Sequence, residues 1–435
     1  MSAPPSDLNA IFAAALAAVD PEPAVRDQLD GVRALYHREG HGRLIVTGFG
    51  KAAFAMARAV RRGLPDLIAD GCIVTKDGHR VPEVSLDPIR VREAGHPLPD
   101  ERGLAATAEI LGLGAVDERT LVVNLVSGGG SALLVAPAPG VTLTEKQRVT
   151  EQLLKAGATI QELNAVRKHL SRVKGGRLAA HLHPARTLSF LLSDVIGDAV
   201  DVIASGPTAP DPTTYDEAWA VLERHRLLPD VPDAVRAVLN RGRRGELPET
   251  PKPGDPVFSR VENRIVGSNR LALAAAGRRA ESLGYAVRIL SAELAGEAVE
   301  VGKALAAVAL RARIEAGSGR DKLCLLAGGE TTVTVRGAGR GGRNQELALS
   351  FAMEIAGVEG ITMLSAGTDG TDGPTDAAGA RVDGRTVIRA ERRGLAADEY
   401  LARNDSYTFF ERLGERFVTG PTGTNVMDIQ VVLIG

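Results

Sequence analysis

The stretch Arg43-LIVTGFGKAAFAMARAVRRG, residues 43–63, decides the fold of the N-terminal half of the chain. Its first part, Arg43-LIVTG, is a short apolar run with β-branched residues, which predicts a buried strand. A glycine loop follows, and from Lys51 onward apolar residues recur at helical spacing. Strand, glycine loop and helix in this order form the repeating unit of a doubly wound α/β sheet. We therefore predict an N-terminal domain with a Rossmann-like, mainly parallel sheet.

The alternation of short β-type runs with longer helical patterns continues along the whole chain. Thr120-LVVNLVSGGGSALL repeats the strand, the glycine loop and the start of a helix. Further strands are predicted at residues 71–76, 89–95, 187–194, 263–268, 285–291, 321–335, 360–370 and 427–435. Helices are predicted between Asp7 and Asp20 and around residues 144–157, 158–182, 269–284, 295–316 and 343–357.

One segment interrupts this rhythm and marks a boundary between domains. RGRRGELPETPKPGDP, residues 241–256, holds four prolines and three glycines and shows no apolar period. We predict an N-terminal Rossmann-like α/β domain at 1–245, a connection at 246–256 and a C-terminal α/β domain at 257–435. Two α/β domains with a cleft between them are the expected arrangement.

Composition and charge exclude several classes of protein. The 435 residues are 44% apolar, which excludes wholesale disorder. The formal net charge of −2 provides no global field for nucleic acid or an acidic membrane. No stretch approaches the ~20 uncharged apolar residues of a membrane span. Cys72 and Cys324 lie in apolar runs, which predicts buried thiols in a reducing compartment, so we expect a cytoplasmic protein.

Two glycine loops at strand ends are candidate binding sites for an anion. Backbone N–H groups at the end of a strand, followed by a helix, favour negative charge. Three consecutive glycines in the second loop allow a ligand to approach the backbone closely. Neither loop has the spacing of a Walker A motif. The candidate residues are Gly48, Gly50, Lys51, Ser127, Gly128, Gly129, Gly130 and Ser131.

A third glycine-rich loop carries arginines. GAGRGGRNQE, residues 337–346, leads into a predicted helix, and the planar fork of arginine matches carboxylate or phosphate oxygens. A cation is unfavourable at the start of a helix unless an anion is present there. The candidates in and just upstream of this loop are Glu330, Thr331, Arg340, Arg343 and Asn344.

Aspartates cluster in two further loops, SDVIGD (193–198) and GTDGTDGPTD (367–376). Aspartates at strand ends can hold Mg²⁺ or accept a proton from a hydroxyl group, and Asp-Gly pairs also form ordinary turns. The aspartates concerned are Asp194, Asp198, Asp369, Asp372 and Asp376. Among them, Asp194 and Asp372 are the candidate Mg²⁺ ligands, Asp194 is also a candidate catalytic group, and Asp369 is a candidate ligand-binding residue.

The motifs in this order resemble the glycerate 2-kinase family, whose C-terminal half is called the MOFRL domain. They run from about residue 44 to 428 and cover nearly the whole chain. The matching pieces are TGFGKAA, AGHPLPD, LVSGGGSALL, ELNAVRKHLSRVKGGRLA, SDVIGDAVDVIASGPT, GGETTVTVRGAGRGGRNQE, SAGTDGTDGPTDAAGA and PTGTNVMD.

The resemblance implies a kinase that uses ATP and Mg²⁺ to phosphorylate D-glycerate to 2-phosphoglycerate, with its active site in a cleft between two α/β domains. Lys51 and Arg343 stand where the family's proposed catalytic lysine and arginine fall. A homo-oligomer is compatible with the sequence. Neither nucleic acid nor a membrane is an expected partner.

Two other functions are alternatives. Some relatives are called hydroxypyruvate reductases, so an NAD(P)H-dependent reductase is the second hypothesis. No acidic residue closes a second strand roughly 20 residues beyond Gly48, where recognition of a ribose would place one. A non-catalytic sensor of sugar acids is the third hypothesis, and it would not need the aspartate clusters.

Overall fold

The computed structural model describes residues 5–113, 116–316 and 322–435, so residue 321 of one predicted strand lies outside the described part. Contacts within the chain divide it into two compact units. The N-terminal unit comprises Pro21–Ser193 and Asp198–Val266, and the C-terminal unit comprises Met1–Asp20, Asp194–Gly197 and Gly267–Gly435. The predicted domain boundaries and the cleft between the domains stay predictions.

Regular elements follow the predicted alternation. The strands are β1 (Arg43–Phe49), β2 (Ile68–Lys76), β3 (Ile89–Ala94), β4 (Thr120–Val126), β5 (Arg186–Leu192), β6 (Val261–Gly267), β7 (Tyr285–Leu294), β8 (Lys322–Gly329), β9 (Ile361–Gly367), β10 (Gly379–Asp383), β11 (Arg416–Phe417) and β12 (Asp428–Ile434). The helices are α1 (Pro5–Ala18), α2 (Pro21–Arg26), α3 (Leu29–Arg38), α4 (Ala53–Gly63), α5 (Glu101–Leu111), α6 (Gly130–Leu133), α7 (Leu143–Lys155), α8 (Ile160–His169), α9 (Arg177–Leu182), α10 (Tyr215–Arg224), α11 (Asp233–Arg243), α12 (Asn269–Ser282), α13 (Ala298–Ala316), α14 (Arg343–Glu354), α15 (Thr386–Glu391), α16 (Ala397–Ala402) and α17 (Ser406–Leu413).

The sheet of the N-terminal unit has the strand order β3-β2-β1-β4-β5-β6. Every pairing from β3 across to β5 is parallel, which confirms the predicted doubly wound fold. Strand β4 is buried along its whole length, as expected for a strand covered on both faces. The chain runs outward from β1 to β3 and then returns to β4, so the sheet has its topological switch point between β1 and β4. Open α/β sheets bind ligands at the carboxyl ends of the strands at this point.

The predicted helix over 158–182 is wrong, because the structure has two helices there. Helix α8 ends at His169, and α9 begins only at Arg177. Helix α8 is capped by Leu170, and Gly175 and Gly176, with φ of +57° and +77° in the left-handed region, keep the chain out of helical geometry until α9, of which Gly176 is the N-cap. The helix after the second glycine loop is also short, since α6 has only four residues.

The C-terminal unit contains a mixed sheet of order β11-β10-β9-β12-β8-β7. Strand β7 runs parallel to β8, whereas β12 is antiparallel to both β8 and β9. Strands β9 and β12 are completely buried, and helix α14 packs on this sheet through residues such as Leu347 and Phe351. The end of the chain therefore forms an inner strand of the sheet.

Both cysteines, Cys72 and Cys324, are buried free thiols, which confirms that prediction. Burial raises their pKa values to about 11 and about 12. No single helix of the described residues has the length and apolar character of a membrane span. The helical segments Ser6–Ala18 and Pro21–Arg38 meet this criterion only when they are counted as one. Buried helices of ordinary globular proteins meet the same criterion.

Candidate functional site

The two predicted glycine loops of the N-terminal unit interlock at the carboxyl ends of β1 and β4. The backbone N–H of Lys51 donates to the carbonyl of Gly128 (2.9 Å), and that of Ser127 donates to Phe49 (3.2 Å). The hydroxyl of Ser127 accepts a hydrogen bond from Ala52 N at 3.0 Å. We call the loops 50–52 and 127–129 the Lys51 cradle. Helix α4 begins at Ala53, so Lys51 precedes the helix instead of lying in its first turn, as the sequence had suggested.

Glycine is required at two positions of the cradle. Gly50 has φ +127°, and a Cβ atom there would lie 2.2 Å from Ser127 Oγ. Gly129 has φ +81°, and a Cβ atom there would lie 3.0 Å from His96 Cδ2 and 3.3 Å from Lys51 Cγ. The side chains of Lys51 and His96 therefore flank Gly129.

The other predicted residues of these loops have packing contacts. Gly48 lies inside β1, where a Cβ atom would be 3.0 Å from atoms of both Ile73 and Leu125. A Cβ atom on Gly130 would be 2.9 Å from that of Ala204. Tight packing thus accounts for both glycines. The hydroxyl of Ser131 lies 2.9 Å from that of Ser205.

His96, to which the sequence assigned no role, adds a neutral imidazole to the cradle. Burial and the positive charges of Lys51, Lys76 and His79 lower its pKa to about 4. His79 Nδ1 lies 2.9 Å from the carbonyl oxygen of Lys51, and burial also lowers the pKa of His79. These imidazoles are therefore neutral at pH 7 beside the cation of Lys51, an environment that favours an anion.

In the C-terminal unit, Arg343 is the first residue of α14 and is held by two carboxylates. Its Nε and Nη2 donate to the two oxygens of Asp428 at 2.6 and 2.9 Å. Its Nη1 lies 2.7 Å from Glu330 Oε1. Burial works against the charge of Arg343, but the hydrogen bonds and charge of Asp428 and the charge of Glu330 outweigh it and raise its pKa. The guanidinium of Arg343 is thus anchored by two carboxylates.

Acidic side chains from distant parts of the chain surround Arg343. Burial and the charges of Asp428, Asp194 and Asp369 raise the pKa of Glu330 against the opposing effect of Arg343. We call Glu330, Arg343, Asp428, Asp194 and Asp369 the Arg343 cluster. Among the described residues, no three acidic, histidine or cysteine side chains form a ready-made metal site. Mg²⁺ commonly uses one or two carboxylates together with phosphate oxygens and water, and mutually repelling carboxylates fit that requirement.

Asp372, a predicted Mg²⁺ ligand, is buried at the start of helix α14. Its Oδ1 accepts from Asn344 N at 3.0 Å, and its Oδ2 accepts from Gln345 N and Nε2 at 2.9 Å each. Burial raises its pKa to about 6 despite these bonds. Both oxygens are engaged within the protein, which favours a role in positioning Asn344 and the neighbouring Arg343 over the predicted role in metal binding.

Three further predicted residues of the C-terminal unit differ in their surroundings. Arg340 is exposed, and its guanidinium lies 4.5 Å from the ring centre of Tyr407. Thr331 is buried, and its hydroxyl has no hydrogen-bond partner among the residues that the structure describes. Asp369 Oδ1 accepts from both N and Oγ1 of Thr371, at 3.0 and 3.1 Å.

Comparison with known proteins agrees with these observations. Residues 7–240 match the domain of unknown function DUF4147, and residues 323–428 match the MOFRL family. The D-glycerate 2-kinase of Thermotoga maritima is 42% identical over 96% of this chain and 95% of its own. This chain belongs to the glycerate 2-kinase family. Membership confirms the resemblance seen in the sequence and the expectation of a kinase.

The structure agrees with that of a member of the glycerate 2-kinase family. The crystal structure of glycerate kinase from Thermotoga maritima has a TM-score of 0.90 and 41% identity, and it covers 99% of this chain and 100% of its own. Another relative, from Agrobacterium vitis, is 44% identical over 98% of this chain and 94% of its own. That relative is named a hydroxypyruvate reductase only provisionally.

One residue of the candidate site was not predicted, although it lies in a motif that carries the resemblance to the glycerate 2-kinase family. Asp428 is the last residue of PTGTNVMD and the first of β12, and its side chain is 1% exposed. The signal available was a carboxylate at the start of a long apolar strand, where an unpaired charge would be costly. Nothing local indicated that its partner is Arg343.

Proposed function

We propose that this chain transfers the γ-phosphoryl group of ATP to the 2-hydroxyl of D-glycerate, giving 2-phosphoglycerate, with Mg²⁺ bound to the nucleotide. The observation that carries the proposal is the Lys51 cradle, a cation set beside two interlocked glycine loops at the switch point of the sheet. Phosphoryl transfer depends mainly on positioning and on neutralising charge, which such a cradle supplies. Membership of a kinase family supports the same reaction class.

Lys51 acts in this proposal as a preorganised cation for the transferring phosphoryl group. Its backbone is fixed by the bond from Lys51 N to Gly128 O, while its side chain passes beside Gly129. A cation in place before the reaction needs no reorganisation when charge develops in the transition state. Gly50 and Gly129 serve this role by allowing the two loops to approach each other.

Arg343 provides a second cation, which Asp428 orients. Its Nε and Nη2 remain bound to Asp428, whereas Nη1 pairs with the partly exposed Glu330. An incoming phosphate or carboxylate oxygen exchanges with Glu330 at Nη1 without disturbing the buried pair. The exchange releases the carboxylate of Glu330, whose pKa is raised by burial and by the neighbouring acidic charges.

The carboxylates of the Arg343 cluster would hold the metal ion. One or two of Asp194, Asp369 and Glu330 would suffice beside phosphate oxygens and water, because carboxylate oxygen is the preferred protein ligand of Mg²⁺. When bound, Mg²⁺ neutralises charge on the phosphates. Asp194 is the group we assign to accept the proton of the 2-hydroxyl. The cytoplasmic location and the homo-oligomer considered above stay predictions.

The test is product analysis with the purified protein, D-glycerate, ATP and Mg²⁺. We expect ADP and an ester that enolase consumes directly, because enolase accepts 2-phosphoglycerate but not its 3-phospho isomer. A parallel reaction with hydroxypyruvate and NADH tests the reductase hypothesis. Oxidation of NADH without formation of ADP would contradict the proposal, and a product that enolase uses only after a mutase is added would contradict the 2-position.

A further inference from the structure

A cavity of about 580 Å³ lies in the N-terminal unit, and several charged side chains line it. Its volume falls within the range of about 300–1,000 Å³ that is usual for sites of small organic ligands. Among the residues that the structure describes, neither the Lys51 cradle nor the Arg343 cluster contributes to the lining. We call it the Arg177 cavity, and its charged lining residues are Arg172, Arg177, Arg241 and Glu249.

One side of the Arg177 cavity lies at the opposite edge of the sheet from the Lys51 cradle. Leu111 ends helix α5, which leads to β4, and His181 lies one residue before the end of α9, which leads to β5. The imidazole Nε2 of His181 lies 2.8 Å from the carbonyl oxygen of Leu111. A helix that leads into a parallel strand ends near the amino end of that strand, whereas the glycine loops follow the carboxyl ends of β1 and β4. The cavity is therefore separate from the site of the proposed phosphoryl transfer.

Two of the three arginines of the cavity have no acidic partner among the residues that the structure describes. Arg177 Nη2 donates to the hydroxyl of Tyr215 and to the carbonyl of Pro248, at 3.2 Å each. Its Nη1 makes no hydrogen bond with any described residue. The side chain of Arg172 is exposed and likewise has neither a hydrogen bond nor an ion pair within the described part of the chain. A guanidinium stays charged at physiological pH, so both charges are available to a ligand.

The remaining charges leave the Arg177 cavity positive. Arg241 Nε lies 3.5 Å from Glu246, a carboxylate that binds Arg244 more closely, at 2.7 Å. Glu249 is the one carboxylate among the described residues of the lining, and it pairs at 3.1 Å with Lys252, which lies outside the lining. Three arginines thus face the cavity against one carboxylate that already has a cation. Such a surface attracts an anion.

Buried aromatic side chains hold this cavity in shape. His169 and Tyr215 are 0% and 3% exposed, and their ring centres lie 4.6 Å apart. His169 Nε2 lies 3.0 Å from Glu249 Oε2. Tyr215 packs against the backbone of Gly242, where a Cβ atom would lie 2.3 Å from Tyr215 Cγ. Because Arg177 is bound to this fixed tyrosine, a ligand would lose little free energy in ordering the site.

We propose that the Arg177 cavity binds a small organic anion that carries two or more negative charges, as phosphate esters and polycarboxylic acids do. The planar fork of arginine matches phosphate and carboxylate oxygens alike, and three such forks suit more than one anionic group. The apolar part of the lining, which includes Ala138, Pro139 and Leu247, suits the carbon skeleton of the ligand. The site uses no residue of the Lys51 cradle or the Arg343 cluster, so it stands independently of the proposed function.

The experiment is calorimetric titration of the full chain with citrate and with fructose 1,6-bisphosphate, in low-salt buffer without nucleotide or Mg²⁺. We expect at least one of them to bind with a Kd of about 1 mM or tighter, and the tighter one identifies carboxylate or phosphate as the preferred group. Arg172→Ala and Arg241→Ala should each weaken that binding by about 10-fold or more. Both arginines are exposed, so the variants should melt as the wild type does. Arg26→Ala, at an exposed arginine of the same unit that pairs with Asp27, is the matched control and should bind normally.

Lys51→Ala distinguishes the Arg177 cavity from the Lys51 cradle, and it should bind the probes as the wild type does. Failure of both probes to bind at about 10 mM would overturn the site. Binding that is lost in Lys51→Ala but unchanged in Arg172→Ala and Arg241→Ala would place the anion in the cradle and also overturn it. Equal weakening in Arg26→Ala would show only a general effect of surface charge. Inorganic sulfate that binds as tightly as either probe would overturn the assignment to an organic anion.

Discussion

The guanidinium of Arg343 and the carboxylate of Asp428 form two hydrogen bonds, of 2.6 and 2.9 Å, across a separation of 85 residues. Asp428 is buried at the first position of β12, which lies between β8 and β9 in its sheet. A bidentate pair fixes the plane of the guanidinium as well as its position. Arg343 is therefore oriented by the sheet, and its Nη1 pairs with Glu330.

We expect Arg343→Lys to abolish most activity, although it keeps the charge. Lysine cannot form the two-bond pair with Asp428 and leaves that buried carboxylate poorly satisfied. Turnover should fall by about 10³ if the arginine acts on the transferring phosphoryl group. A loss confined to the KM for glycerate would instead assign it to the substrate carboxylate. Circular dichroism verifies folding, and wild-type constants for both substrates would remove Arg343 from the site.

Asp428→Asn tests whether the pair orients Arg343. The variant keeps one acceptor oxygen for the guanidinium and removes the countercharge, so Arg343 should lose its fixed plane. We expect a drop in kcat of about 10- to 100-fold, because Asp428 holds Arg343 in the orientation that the reaction would use. Together with Arg343→Lys, the double variant should lose little more than Arg343→Lys alone. Fully additive losses in kcat would show that the two residues act independently.

Lys51→Ala should fold normally and lose about 10²–10³ in turnover, because a preorganised cation is removed. The loop contacts of Lys51 are made by its backbone N–H and carbonyl, so they survive the change. The same variant should raise the pKa of His96, since Lys51 is one of the charges that lower it. NMR titration of the His96 ring measures this shift without any assay. Lys155→Ala, at an exposed lysine paired with Glu151, is the control and should change neither quantity.

Chelation by EDTA should abolish activity, and Mg²⁺ should restore it. Asp194→Asn should then lower kcat, because it removes the proposed proton acceptor, and should raise the Mg²⁺ concentration for half-maximal activity by about 10-fold or more. Asp372→Asn is the matched comparison, because both oxygens of Asp372 cap helix α14. It should lower stability by about 1–2 kcal/mol in urea unfolding and leave the Mg²⁺ requirement unchanged. Activity that persists in EDTA would overturn the metal-dependent reaction.

The stability of the protein should depend on His96 between about pH 4 and pH 6.5. The folded-state pKa of about 4 lies below the ordinary value of 6.5, so in this window the unfolded state binds more protons at His96. Its contribution to the free energy of unfolding therefore rises with pH across the window and is lost on acidification. Urea midpoints at several pH values should rise less steeply in His96→Asn than in the wild type. Identical slopes would show that His96 titrates normally in the folded protein.

Much of the fold followed from local pattern. The run Arg43–Gly63 produced β1, the glycine loop and α4, because burial of a β-branched run and helical spacing are properties of neighbouring residues. The break between α8 and α9 was missed although Gly175 and Gly176 mark it. The apolar residues on either side of these glycines keep the spacing of a single helix. Only the positive φ values of the glycines show that the chain turns between the two helices.

For the candidate site, residue type and local spacing were sufficient to single out Lys51, Arg343 and the glycine loops. The arrangement of β12 between β8 and β9, the capping role of Asp372 and the pairing of Arg343 with Asp428 emerged only in the folded chain. Ion pairing, burial and antiparallel strand order join residues far apart in the chain. Their energies depend on distance and dielectric environment in three dimensions, and neither quantity is encoded in the spacing of nearby residues.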